Sequence, residues 1–247
     1  MAMKLSIIVP AYNEERLLAS TLESIRAAAQ AAFAGAGAFM CDWELIVCDN
    51  NSTDRTAEIA RASGAQVVFE AHNQISRARN RGAAAASGDW LLFVDADSAP
   101  DAGLFRELFA AIGSGRVLAG GSTLAADSSD GFFRWSVRAW NVLSRLMRWA
   151  AGAFIFCEAA AFRELGGFSE EPYAAEELDL FSRLKRLARA RGWTVVILHR
   201  NPLRTSDRKV RLYSAREMLA TLGRVIVRPR RALRNAGDCH AWYDGRR

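Results

Sequence analysis

Trp90-Leu-Leu-Phe-Val-Asp-Ala-Asp97 is a run of five apolar residues that stops on two carboxylates. A run so short and so uniformly apolar reads as a strand covered on both faces, which leaves Asp95 and Asp97 at its carboxyl end. Three similar runs precede it. Lys4 to Val9 is halted by Pro10, Glu44 to Cys48 leads into the polar cluster Asp49-Asn-Asn-Ser-Thr-Asp54, and Ala65 to Phe69 follows Gly64. The segments between them have helical spacing. A helix opening at Asn13-Glu14-Glu15 recurs at Leu17, Leu18, Leu22 and Ile25 and continues through alanines to Phe33. A second, capped by Ser52 or Thr53, reaches about Ala62, and a third runs from Ile75 to Ala86 before Ser87-Gly88. Strands alternating with helices predict an α/β fold: a mostly parallel sheet with helices on both faces and ligands at the carboxyl ends of its strands. Asp49, Asp95 and Asp97 stand at such ends.

After Pro100 the pattern changes. Helices are expected over 102–112 and 175–190, strands over 117–120 and 194–198, and a long amphipathic helix over 131–149. In that helix Arg134, Arg138, Asn141, Arg145 and Arg148 form one stripe, with Trp135, Trp140, Leu143, Leu146 and Met147 around the rest. The basic tail holds a further helical stretch over 215–227. Residues 1–180 carry 15 Lys and Arg against 23 Asp and Glu, whereas 181–247 carry 18 against 4, so the net charge of +6 hides a strongly basic end.

With 51% hydrophobic residues in 247, the chain can bury a substantial core. No run of eighteen apolar residues occurs, which excludes an integral membrane protein by this criterion. The apolar run near Met1 is short and has no small-residue cleavage site behind it, so a secretory signal is not expected and a cytoplasmic location is. Cys41, Cys48, Cys157 and Cys239 lack C-x-x-C spacing and read as reduced, packed thiols.

Two carboxylates at a strand end are oxygen donors suited to Mg²⁺ or Mn²⁺ carrying a diphosphate. The ordered segments Ser6-Ile-Ile-Val-Pro-Ala-Tyr-Asn-Glu14, Val47-Cys-Asp-Asn-Asn-Ser-Thr-Asp54, Ala78-Arg-Asn80 and Leu92-Phe-Val-Asp-Ala-Asp97 resemble the signature of family 2 glycosyltransferases. The resemblance covers roughly residues 4–200 and implies a GT-A type fold, with a Rossmann-like nucleotide half over about 1–100 and an acceptor half over about 101–200. Residues 201–247 would be a basic extension that packs on the site or closes over it. A nucleotide-sugar donor and a divalent metal are implied as well.

Carried onto this chain, the resemblance puts Pro10, Ala11, Tyr12 and Glu14 around the nucleoside and Asp49 on the base, whose ring N–H a carboxylate can accept. It puts Arg79 on the diphosphate, with Arg77 and Arg81 as alternatives on the same helix, Asp97 on the metal, and Asp95 on metal or ribose beside Ala96. Family members commonly have Gly-Gly-Phe followed by Glu-Asp. Here Gly166-Gly-Phe168 precedes Glu176-Glu-Leu-Asp179, so the catalytic base is shared among Glu177, Glu176 and Asp179. His199 is a further candidate metal ligand. Arg208 and Lys209 in Thr205-Ser-Asp-Arg-Lys209 have the charge to close on the diphosphate. The Q-x-x-R-W segment of processive polymerases is absent from the sequence, so single-sugar transfer is expected, to a sugar, a lipid-linked molecule or another small acceptor. Glu177 as base would make it an inverting displacement.

The basic end and the 131–149 helix also suit contact with the inner face of a membrane, against the alternative of an acceptor-half core helix whose arginines face water. Nucleic acid is not expected, since charge is its only support. Two further readings stand beside the transferase: a nucleotidyltransferase that activates sugars, and a catalytically inactive nucleotide-binding protein. The first normally has a Gly-rich basic loop where this chain has Pro-Ala-Tyr-Asn-Glu-Glu.

Overall fold

A computed structural model describes residues 3–34, 40–125, 131–150, 152–171 and 176–205. Eight strands among them form one mixed sheet: β1 (Met3–Ala11), β2 (Met40–Asp49), β3 (Gln66–Phe69), β4 (Trp90–Val94), β5 (Ser98–Ala99), β6 (Val117–Ala125), β7 (Phe154–Glu158) and β8 (Thr194–Thr205). Their spatial order is β3-β2-β1-β4-β7-β6-β8-β5. The first four are mutually parallel, as the alternation of strands and helices requires. β7 then runs antiparallel between β4 and β6, β8 is parallel to β6, and β5 is antiparallel to the end of β8. The helices are α1 (Leu18–Phe33), α2 (Thr56–Ala62), α3 (Ile75–Ala85), α4 (Ala102–Gly113), α5 (Gly131–Met147), α6 (Ala159–Glu164) and α7 (Glu176–Ala190).

The central strands are apolar over most of their length because both faces are covered. Leu5, Ile7, Val9, Leu92 and Val94 pack under α1 and α4, while Ile8, Leu91 and Phe93 pack under the opposite layer of α3, α6 and α7. Two glycines allow the second half of the sheet to close. A Cβ on Gly120 would lie 2.5 Å from both the Phe156 ring and the Val196 carbonyl, and one on Gly121 would overlap Ala150.

The structure corrects several boundaries. α1 begins at Leu18, not at Asn13, whose left-handed φ of 52° is incompatible with a helix starting there. Ser52 and Thr53 do not cap α2, which starts after Arg55; they bond to Asn13 instead. β7 and α6 were not expected. Phe154-Ile-Phe-Cys-Glu-Ala-Ala-Ala-Phe162 crosses from strand to helix with no Gly, Pro or change of polarity to mark the join. Cys48 and Cys157 are free, buried thiols, and burial pushes Cys48 up to about 12. No described helix is long and apolar enough to cross a membrane. Arg208, Lys209 and the helix expected over 215–227 lie outside the described residues.

Candidate functional site

The parallel strands bring their carboxyl ends to one edge. Ala11 pairs with Asp49 across β1 and β2, and Ile8 pairs with Phe93 across β1 and β4, three positions before Ala11 and two before Asp95. The loops that follow β1 and β2 are laced together. The Asn13 N–H donates to Ser52 Oγ (3.0 Å), the Glu14 N–H to Thr56 Oγ1 (2.8 Å) and the Glu15 N–H to Asp54 Oδ2 (3.1 Å), while Asn13 Oδ1 accepts from the Thr53 N–H (2.8 Å). Asn13 and Asn51 take left-handed φ values of 52° and 64°, a conformation asparagine tolerates. Pro10, Ala11 and Glu14 are buried here and Tyr12 is half-buried. Asp49 is buried too, its Oδ1 accepting from the Ser52 N–H at 3.0 Å, so it shapes the turn whatever else it binds.

The turn carrying Asp95, Ala96 and Asp97 is fixed from three sides. Asp95 N–H donates to the Ala153 carbonyl, the Ser98 N–H donates to the Asp95 carbonyl, and the Thr21 hydroxyl donates to the Ala96 carbonyl at 2.8 Å. Ala96 is buried, and both aspartates keep part of their surface.

Arg79 is the hub. It is 1% exposed, and its guanidinium donates to Asp95 Oδ1 (3.1 Å), Glu176 Oε1 (2.7 Å) and the Gly152 carbonyl (3.0 Å), lying 5.2 Å over the Phe168 ring. This arginine, expected on the diphosphate, bonds protein acceptors from three parts of the chain. Asn80, its neighbour, accepts from the Phe168 N–H (2.9 Å) and donates to the Phe168 carbonyl (2.9 Å). Gly166 and Gly167 before it have φ of 75° and 74°, and a Cβ on Gly167 would sit 2.6 Å from Asn80 Oδ1. The Ala-Arg-Asn and Gly-Gly-Phe segments are thus two halves of one joint. The sequence motifs contain Asn80 and Phe168 without marking their contact, and nothing in the sequence marks Gly152.

The three candidate bases on α7 separate cleanly. Asp179 is exposed and held by Arg183, which also ties α7 to the Leu165 and Gly167 carbonyls. Glu176 is 3% exposed and spent on Arg79. Glu177 is half-buried, and its Oε1 would stand 3.2 Å from a Cβ on Gly152, whose carbonyl Arg79 holds. Burial, then the Glu177 carboxylate beside it, push the Glu176 carboxyl up to about 8 against the opposing pull of Arg79. A carboxyl that holds its proton more tightly folded than unfolded stabilises the fold fully below its ordinary value of 4.5, and that contribution is lost as pH rises toward 8. Glu176→Gln keeps an oxygen for Arg79 without the titrating proton. Urea unfolding measured at stepped pH should show the decline from this group in the wild type and a flatter profile in the variant.

His199 lies on an exposed part of β8 against α4, its N–H donating to Glu107 Oε1 at 2.9 Å. Among the described residues no three His, Cys, Asp or Glu side chains are gathered as a metal-holding group, so His199 is not brought to Asp95 and Asp97 as a third ligand.

Residues 6–166 match the profile described as glycosyl transferase family 2. The chain belongs to that family. An uncharacterised glycosyltransferase of Mycobacterium tuberculosis is 34% identical over 116 residues, 47% of each chain, and the dolichyl-phosphate β-glucosyltransferase of Drosophila melanogaster is 35% identical over 106 residues, 40% of this chain and 32% of that one. The family 2 chain thus spans about half the length, or less, of these curated relatives. Solved structures with the same GT-A type fold include a mannosyltransferase from Pyrobaculum calidifontis in complex with GDP-mannose and Mn²⁺ (TM-score 0.60, 20% identity, 83% of this chain and 57% of that one). Another is glucosyl-3-phosphoglycerate synthase of M. tuberculosis with Mn²⁺, UDP and its product (TM-score 0.59, 20% identity, 91% and 77%).

Proposed function

We propose that this chain is a glycosyltransferase that moves one sugar from a UDP- or GDP-linked donor to an acceptor hydroxyl in a single inverting displacement, with Glu177 as general base. The observation that carries this reading is the Arg79 bridge. It ties the strand-end acid Asp95 to the first turn of α7, and with Glu176 and Asp179 engaged elsewhere it leaves Glu177 beside Gly152 at the junction. An alcohol must lose its proton as it attacks the anomeric carbon, and a positioned carboxylate takes that proton. The carboxylates of Asp95 and Asp97 fit a hard divalent cation, Mn²⁺ or Mg²⁺: both are oxygen donors, and Asp95 keeps 21% of its side chain exposed while Oδ1 rests on Arg79. Such an ion, when bound, offsets charge on the departing diphosphate. Pro10, Ala11, Tyr12, Glu14 and Asp49 would line the nucleoside, and Arg208, in the basic segment that follows β8, would meet the diphosphate. Two structural neighbours, solved with Mn²⁺ and a UDP or GDP moiety, support the donor class.

Calorimetric titration of UDP and GDP, each with and without Mn²⁺, tests the donor site. One nucleotide should bind in a metal-dependent manner, and Asp97→Ala should weaken that binding by at least about tenfold. Failure of both nucleotides to bind under any condition would remove the assigned site.

A further inference from the structure

Of the large apolar side chains exposed among the described residues, Trp135, Val142, Leu143, Leu146 and Met147 all belong to α5, and only Phe69 and Trp193 lie elsewhere. The helix seats itself on the protein through a narrow strip. Val137 and Ser144 are buried, and Asn141 imitates a neighbouring strand, accepting from the Leu124 N–H at 3.0 Å and donating to its carbonyl at 2.8 Å. At 3.6 residues per turn, Trp135, Val142 and Leu146 fall within about 40° of one another on the side opposite Val137 and Ser144. They are 65%, 59% and 76% exposed. Arg134, Arg138 and Arg145 are exposed along one flank of this ridge, Arg148 lies past its end, and residues 131–150 contain no acid. Lys185 of α7 adds to that end by donating to the Met147 carbonyl, and the nearby Arg148 helps hold its ammonium below the ordinary lysine value, after burial.

We propose that the outer face of α5 docks on an anionic lipid bilayer, lying in the plane of the surface with the Trp135–Val142–Leu146 ridge at the acyl boundary and the arginines on headgroup phosphates. Charge selects this occupant. Residues 206–247 of the same chain carry eleven Lys and Arg against four Asp and Glu, so they repel the arginine flank, and a second copy of α5 would set arginine against arginine. An amphipathic helix with an apolar ridge and a cationic edge gains instead from both the hydrocarbon and the negative surface potential. The inference rests on α5 and its neighbours alone and is independent of the reaction proposed above.

Co-sedimentation of the full chain with vesicles of pure phosphatidylcholine, and with vesicles containing phosphatidylglycerol, tests it. The wild type should bind the anionic vesicles at least about tenfold more tightly than the neutral ones. Trp135→Ser combined with Leu146→Ser should weaken that binding by about tenfold or more while leaving thermal unfolding unchanged, since both side chains are exposed. Arg138→Glu with Arg145→Glu provides a second, independent loss. The proposal fails if the wild type ignores anionic vesicles, if binding survives the serine pair, or if light scattering shows a concentration-dependent dimer that the same serine pair dissolves.

Discussion

Glu177→Gln is expected to lower turnover by about 10³-fold while leaving nucleotide affinity within about twofold of the wild type. The substitution is nearly isosteric and Glu177 does not hold Arg79, so the bridge between Asp95 and Glu176 survives it. What is lost is the ability to accept a proton. Release of nucleoside diphosphate from the donor, with water as acceptor, gives a readout before the natural acceptor is known. Asp179→Asn is the matched comparison: its carboxylate serves Arg183 on the exposed side of α7, and turnover should stay within a few-fold of the wild type. If Asp179→Asn is silenced and Glu177→Gln is not, the base has been assigned to the wrong carboxylate.

Arg79→Met should have the largest effect on stability. Removing the guanidinium leaves Asp95 without its cation and Glu176, whose carboxyl burial pushes up to about 8, without its hydrogen-bond donor, in a site where the arginine side chain was 2% exposed and Glu176 4%. Breaking a buried ion pair from one side costs about 3–5 kcal/mol. The Gly152 carbonyl also loses its donor and the Phe168 ring loses the cation above it. Urea unfolding of both proteins at neutral pH measures this. Equal stability at neutral pH would mean that the bridge is not what joins the two halves.

The contrast between what the residues disclosed and what they withheld follows from the range of the interactions. Runs such as Leu5–Val9 and Trp90–Val94 announce themselves because burial on both faces removes polar residues locally, and the acids at their ends follow by position. The lacing of Asn13 to Ser52 and Thr53 spans some forty residues and is written in hydroxyls and amides that look like ordinary turn residues. Arg79 was visible as a functional residue, yet its partners lie 16, 73 and 97 positions away, so its role as a bridge had no local mark. The same holds for α5: the arginine stripe was plain, but which of its other residues face water depended on a strip as narrow as buried Val137 and Ser144 with half-buried Asn141.

The place of β7 has a consequence for how the chain assembles. Strands β1 to β4 are contiguous in sequence and can pair as they are made, yet until residues 154–158 arrive the whole outer side of β4 is an unpaired edge. That edge is Trp-Leu-Leu-Phe-Val, uncharged and without proline, the composition that invites strands from other molecules to add on. A nascent or truncated chain ending before Phe154 would carry a sticky margin that the finished protein hides, so the late, antiparallel strand that completes the site also acts as the guard against aggregation.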